Sequence, residues 1–166
     1  LRFCVGCGTD DGNEGENGTL NGAQGTIQLS GEETSELGTS LTVGNIEVAN
    51  VALSGTDKSV ILLSENIIVV DNEFIYENDQ NGFVSVAADF STGGSPDIDK
   101  TISMTIVRNG QEFRYACSSP YQNFFTACGD GLGVDFEAKQ VIFENTTVIN
   151  TDDDTILTMD GTITWE

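Results

Sequence analysis

Apolar side chains return at every second position in short runs along most of this chain, and each run ends within a few residues at a Gly, Asn or Asp. Val84, Val86, Ala88 and Phe90 share one side of such a run, as do Ile102, Met104 and Ile106, and then Phe113, Tyr115 and Cys117. Val141 with Phe143 and Ile163 with Trp165 repeat the pattern towards the C-terminus. A period of two puts alternate side chains on opposite faces of a strand, so these segments read as half-buried strands. Asn109-Gly110 stands between two of them, where a hairpin needs positive φ at both turn positions. Further strands are expected over 25–30, 41–53, 59–63, 67–70 and 155–159. No helix-length window carries a helical apolar period. Many short strands with almost no helix predict an all-β fold, an antiparallel β-sandwich of the jelly-roll or immunoglobulin-like kind.

Residues 1–25 break this pattern: Gly6, Gly8, Gly12, Gly15, Gly18, Gly22 and Gly25 punctuate a polar, acidic stretch with no apolar period. Such a segment cannot bury enough surface to offset its ordering entropy, so it reads as an extended N-terminal arm. The expected division is an arm over 1–25 and a sandwich over 26–166, one domain in a chain of 166 residues. A sandwich is preferred to a closed barrel because it leaves a sheet edge for the arm.

Six Lys and Arg stand against 27 Asp and Glu, a formal charge of −21 with no histidine. A surface of that sign repels phosphate backbones, so nucleic acid is not an expected partner. No apolar run reaches the ~20 residues of a membrane-spanning helix. The sequence shows no charged start followed by the apolar core of a secretory leader, and the chain is expected to be a mature form. Without histidine, Ser-His and Cys-His couples and His-ligated zinc are unavailable to this chain. No spacing singles out a carboxylate pair, so no catalytic residue is assigned and the chain is expected not to be an enzyme.

Four cysteines in an acidic all-β chain point to disulfides and an extracellular or cell-surface setting. Cys117 and Cys128 bracket one turn-rich loop and are expected to pair with each other; Cys4 and Cys7 are expected to form disulfides within an assembly. Tyr121, Phe124 and Phe125 inside the bracketed loop are candidates for an interface. Asp10, Asp11 and Asn13 in the arm, and Asp152, Asp153 and Asp154 near the C-terminus, offer hard oxygen ligands of the kind calcium takes, though neither group has EF-hand spacing.

The arm admits two functional readings. Laid along a neighbour's sheet edge it would pair through main-chain bonds and join subunits head to tail, which makes the chain a structural subunit of a homopolymeric filament or surface assembly. Alternatively, Val5-Gly6-Cys7 resembles the small-residue end of a bacterial lipoprotein signal, although Cys4 stands where such signals carry leucine. That resemblance implies a monomeric surface lipoprotein or adhesion module, with the acidic arm as its tether.

Overall fold

A computed structural model describes residues 19–20, 23–77, 80–90, 100–119 and 126–166 of the chain. The elements run β1 (Thr19–Leu20), β2 (Thr26–Gly31), α1 (Thr34–Leu37), β3 (Ser40–Thr42), β4 (Asn45–Val48), α2 (Val51–Ser54) and β5 (Ser59–Leu63). They continue with β6 (Ile67–Val70), β7 (Glu73–Tyr76), β8 (Gly82–Asp89), β9 (Lys100–Arg108) and β10 (Gln111–Ser119). β11 (Gly133–Asp135), β12 (Gln140–Asn150) and β13 (Ile156–Thr164) complete the chain. The all-β, antiparallel expectation holds. The strands form one curled sheet in the order β1-β4-β5-β8-β9-β10-β12-β13-β2-β3, with β11 added to β12, and β6 and β7 form a separate hairpin.

Topology shows why the sheet must curl. β3 lies at one end of the strand order and β4 next to the other end, yet only Val43 and Gly44 separate them in sequence. At 3.8 Å per Cα step, that link spans no more than about 11 Å. It is stitched to both sides: Val43 N donates to Gly25 O at 3.1 Å and Gly44 N to Leu63 O at 2.8 Å. The two ends of the sheet therefore meet, and one core fills the space between. Ile27, Leu29 and Leu41 from one end pack in the same cluster as Ile46, Val60 and Leu62 from the other.

The bend itself is built into the two longest neighbouring strands. The β12–β13 register shifts between Phe143 and Thr146, where Asn145 has φ 48° and its N–H donates to Asp160 Oδ1 at 2.7 Å. Opposite Phe143 stands Gly161, with φ 149°, and a Cβ there would come within 2.4 Å of Thr26 O on β2. A bulge on one strand and a glycine on its partner at the same level turn a corner that neither strand makes alone.

Cys117 at 0% and Cys128 at 0% exposure are joined by a disulfide with a Cα separation of 5.1 Å, as their spacing led us to expect. It closes the connection from β10 back to β12, beside the Ser118 N–H bond to Thr126 O and the Thr147 N–H bond to Cys128 O. On the chain-entropy model such a short loop contributes about 3 kcal/mol.

Two expectations need correction. The strand predicted over 41–53 is three elements, β3, β4 and the helical turn α2, because the chain must cross from one sheet end to the other at Val43-Gly44. A Cβ on Gly44 would lie 2.6 Å from Glu65 Cα, so that crossing needs its glycine. The arm boundary at residue 25 also falls inside the sheet: Thr19 and Leu20 pair with Glu47 and Ile46, Gln24 exchanges backbone hydrogen bonds with Thr164, and Ala23 is buried in the core.

If the corner at Gly161 sets the curl, Gly161→Ala is expected to cost about 2–4 kcal/mol through strained φ and the clash with Thr26. Urea unfolding measures it, and a change below about 0.5 kcal/mol would remove the corner from the account.

Candidate interaction surfaces

β5 is buried along its whole length, which a strand with one face on a core does not require. Val60 and Leu62 face the main core, while Ile61 and Leu63 belong to a second cluster with Ile67. That second cluster exists because the β6–β7 hairpin lies over the outer face of β5, where Val69 and Phe74 of the hairpin, Val84 and Val86 of β8 and Leu53 all pack against Ile61, Leu63 and Ile67. Asp71 and Asn72, with φ 52° and 62°, close the hairpin with the left-handed geometry that a two-residue turn requires.

The hairpin is held at its root and its tip. At the root Glu77 N donates to Asn66 O at 2.8 Å, and Asn45 Nδ2 donates to Ile67 O at 2.8 Å. At the tip Asn50 Nδ2 donates to Asn72 Oδ1 at 3.1 Å and to Glu47 Oε1 at 2.7 Å, while Asn50 Oδ1 caps α2 by accepting from Leu53 N. Glu47 is 1% exposed, and among the described residues its Oε2 has no hydrogen-bond partner. Burying a carboxylate in this way costs stability, and the contact with Asn50 offsets only part of it.

Register places Ile68, Val70, Glu73 and Ile75 on the side of the hairpin turned away from β5. Ile68 is 43% exposed, Val70 47%, Ile75 43% and Tyr76 48%. Of the remaining large apolar residues among the described residues only Val51 is as open, and it follows the Asn50 that holds the hairpin tip; Phe136 and Ile156 are exposed to a lesser degree. An apolar surface concentrated on one projecting element is the pattern of a contact site.

The acidic residues near the C-terminus are partly engaged by their own loop. Asp152, Asp153 and Asp154 lie in the turn between β12 and β13, where Asn150 Oδ1 accepts from Asp152 N at 2.8 Å and Asp153 N at 3.3 Å. Asp153 Oδ1 accepts from Thr155 Oγ1 at 2.7 Å and Thr155 N at 3.0 Å, and these bonds hold its carboxyl below the usual range. The loop's own backbone thus engages an oxygen that the sequence offered to calcium, and among the described residues no three His, Cys, Asp or Glu side chains converge as a cation site. Asp154 and Glu32 border an open groove of about 520 Å³ with Ile156 and Thr158 on its wall.

Behind that groove, Glu33 Oε1 accepts from Tyr115 Oη at 2.5 Å and from Asn150 Nδ2 at 2.8 Å, tying the start of α1 to β10 and β12. Burial first, then the hydrogen bond and charge of Glu33, push the Tyr115 phenol well above its ordinary value of 10.0. Cys4, Cys7, Asp10, Asp11, Asn13, Tyr121, Phe124 and Phe125 lie outside the described residues. No helix among the described residues is long and apolar enough to cross a membrane. No family model, curated protein or solved structure matches the chain.

The buried Tyr115 phenol, bonded to Glu33, gives the protein an alkaline limit. The folded phenol keeps its proton where the unfolded one loses it, so stability falls as pH climbs above about 10. Tyr115→Phe is expected to cost about 1–2 kcal/mol at neutral pH and to flatten that alkaline slope. Urea midpoints at pH 7, 9 and 10.5 check it, and an unchanged slope would separate Tyr115 from the alkaline limit.

Proposed function

We propose that this chain is a non-catalytic module that acts by contact outside the cell, a sandwich-like domain displayed on its N-terminal arm. One observation carries the reading: the β6–β7 hairpin puts Ile68, Val70, Ile75 and Tyr76 in solvent, four of the seven exposed large apolar residues among those described. The disulfide between Cys117 and Cys128 supports an oxidising compartment. The shared core between the two ends of the curled sheet supports the sandwich-like description.

Where the arm meets the domain, the strand pairing favours a tether. Thr19–Leu20 fills the edge of β4 within its own chain, and Gln24 is bonded to Thr164, so this part of the arm is engaged at home. A filament subunit is the second reading, favoured by the open edge of β7, with which a neighbour's arm would pair.

Removal of residues 1–18 distinguishes the two. As a tethered module, the intact and shortened chains are both expected to be monomeric in calcium and in chelator, with melting temperatures within about 2 °C. Light scattering that shows the intact chain polymerising, and the shortened one failing to, would put the filament reading in its place.

A further inference from the structure

The hairpin offers more than an apolar face, because one of its edges is open. Glu77 N donates to Asn66 O, which fixes the phase of the β6–β7 ladder. In that phase Ile68 with Ile75 and Val70 with Glu73 exchange bonds across the hairpin, so the N–H and C=O groups of Phe74 and Tyr76 point away from β6. None of these four groups meets a hydrogen-bond partner among the described residues. The opposite edge is closed at Ile67, whose N–H donates to Ser64 O and whose carbonyl accepts from Asn45. Natural sheets cover or twist such edges away, since an extended chain adds to them readily.

Charge says what kind of chain. Glu73 and Ile75 share a face of β7, Glu77 follows directly after the strand with its N–H still bonded to Asn66 O, Asp71 lies in the turn, and no Lys or Arg occurs between Lys58 and Lys100. Among the described residues the one ion pair is Arg114 with Glu112, far along the chain, so these carboxylates are not neutralised by a cation. A strand added to β7 would set alternate residues beside Phe74 and Tyr76 on one face and beside Glu73 and Glu77 on the other.

We infer that the free edge of β7 docks an extended segment of a partner protein in which apolar residues alternate with Lys or Arg. The inference rests on the contact-module reading and names the chemistry of its partner. The apolar residues cover Phe74 and Tyr76, and the cations lie against Glu73 and Glu77. A second copy is a poor occupant, because it brings 27 acidic residues and only six cations.

The full chain can be titrated with the capped peptide Lys-Val-Lys-Ile-Lys-Val-Lys and with its counterpart carrying Glu at every Lys, while calorimetry and amide exchange are read together. The lysine peptide is expected to bind and to slow exchange at Phe74 and Tyr76, and the glutamate peptide to bind at least about tenfold more weakly. Binding is expected to weaken as salt rises from about 0.05 to 0.5 M. Tyr76→Pro removes an outward N–H and should abolish binding. The double change Glu73→Lys and Glu77→Lys leaves the ladder intact and should reverse the preference between the peptides.

An unaltered preference in the charge-swapped protein would overturn the inference. So would the absence of binding by either peptide at millimolar concentration while the β7 amides exchange freely, a result that leaves the contact-module reading standing. Protection of Phe74 and Tyr76 that rises with protein concentration would assign the edge to a second copy. Protection that disappears when residues 1–18 are removed would assign it to the chain's own arm. Either result overturns the proposed partner.

Discussion

The corner where β12 and β13 bend together is the constraint on which the rest of this molecule depends. A bulge at Glu144-Asn145 and the missing Cβ of Gly161 lie at one level of the ladder, and β2 passes close enough to Gly161 to exclude a side chain. Bent there, the sheet brings β3 and β4 near enough for two residues to join them, and a single core can fill the interior. Tyr115, Glu33 and Asn150 then fix α1 over the end of β10 and β12, and the disulfide fixes the return from β10.

With the core completed by the curled sheet, the β6–β7 hairpin becomes a second layer placed on its outside. It buries Ile61 and Leu63, which would otherwise leave β5 apolar towards solvent, and so it is needed where it lies. A two-stranded ribbon has two faces and two edges, and packing against β5 and β8 uses one face. The other face and the β7 edge are left with the side chains and backbone groups that a partner strand would use. Function on this reading follows from how a ribbon covers a sheet, with no catalytic group required. On the same reading the acidity of the chain would add selectivity, by steering cationic partners in and opposing contact between like copies.

Much of the sheet was legible because burial on one face writes a period of two into the sequence. β8, β9, β10, β12 and β13 all show it, and Asn109-Gly110 marked the β9–β10 turn. The segment 41–53 misled because continuous β-forming residues say nothing about where a chain leaves one sheet end for the other; Gly44 and the capping Asn50 were the available signals. β7 escaped notice because four residues flanked by acids are short for a strand, although Asp71-Asn72 between apolar runs carried the hairpin signature. Which face of Ile67-Ile68-Val69-Val70 is covered could not be read at all. The run is apolar on both sides, and only the position of β5 and β8 decides between them. The bonds from Tyr115 and Asn150 to Glu33 span 82 and 117 residues of sequence, beyond any local pattern.

A hairpin that covers a core already closed without it should open before that core does, and native-state hydrogen exchange measured residue by residue on the full chain tests this layering most directly. The expected result is that the cross-ladder amides of Ile68 and Ile75 exchange through a local opening several kcal/mol below global unfolding, while Ile61, Ile102 and Val148 exchange only with the whole molecule. Equal protection across the hairpin, β5 and β12 would contradict it, because the ribbon would then be part of the core and its outer face no independent surface.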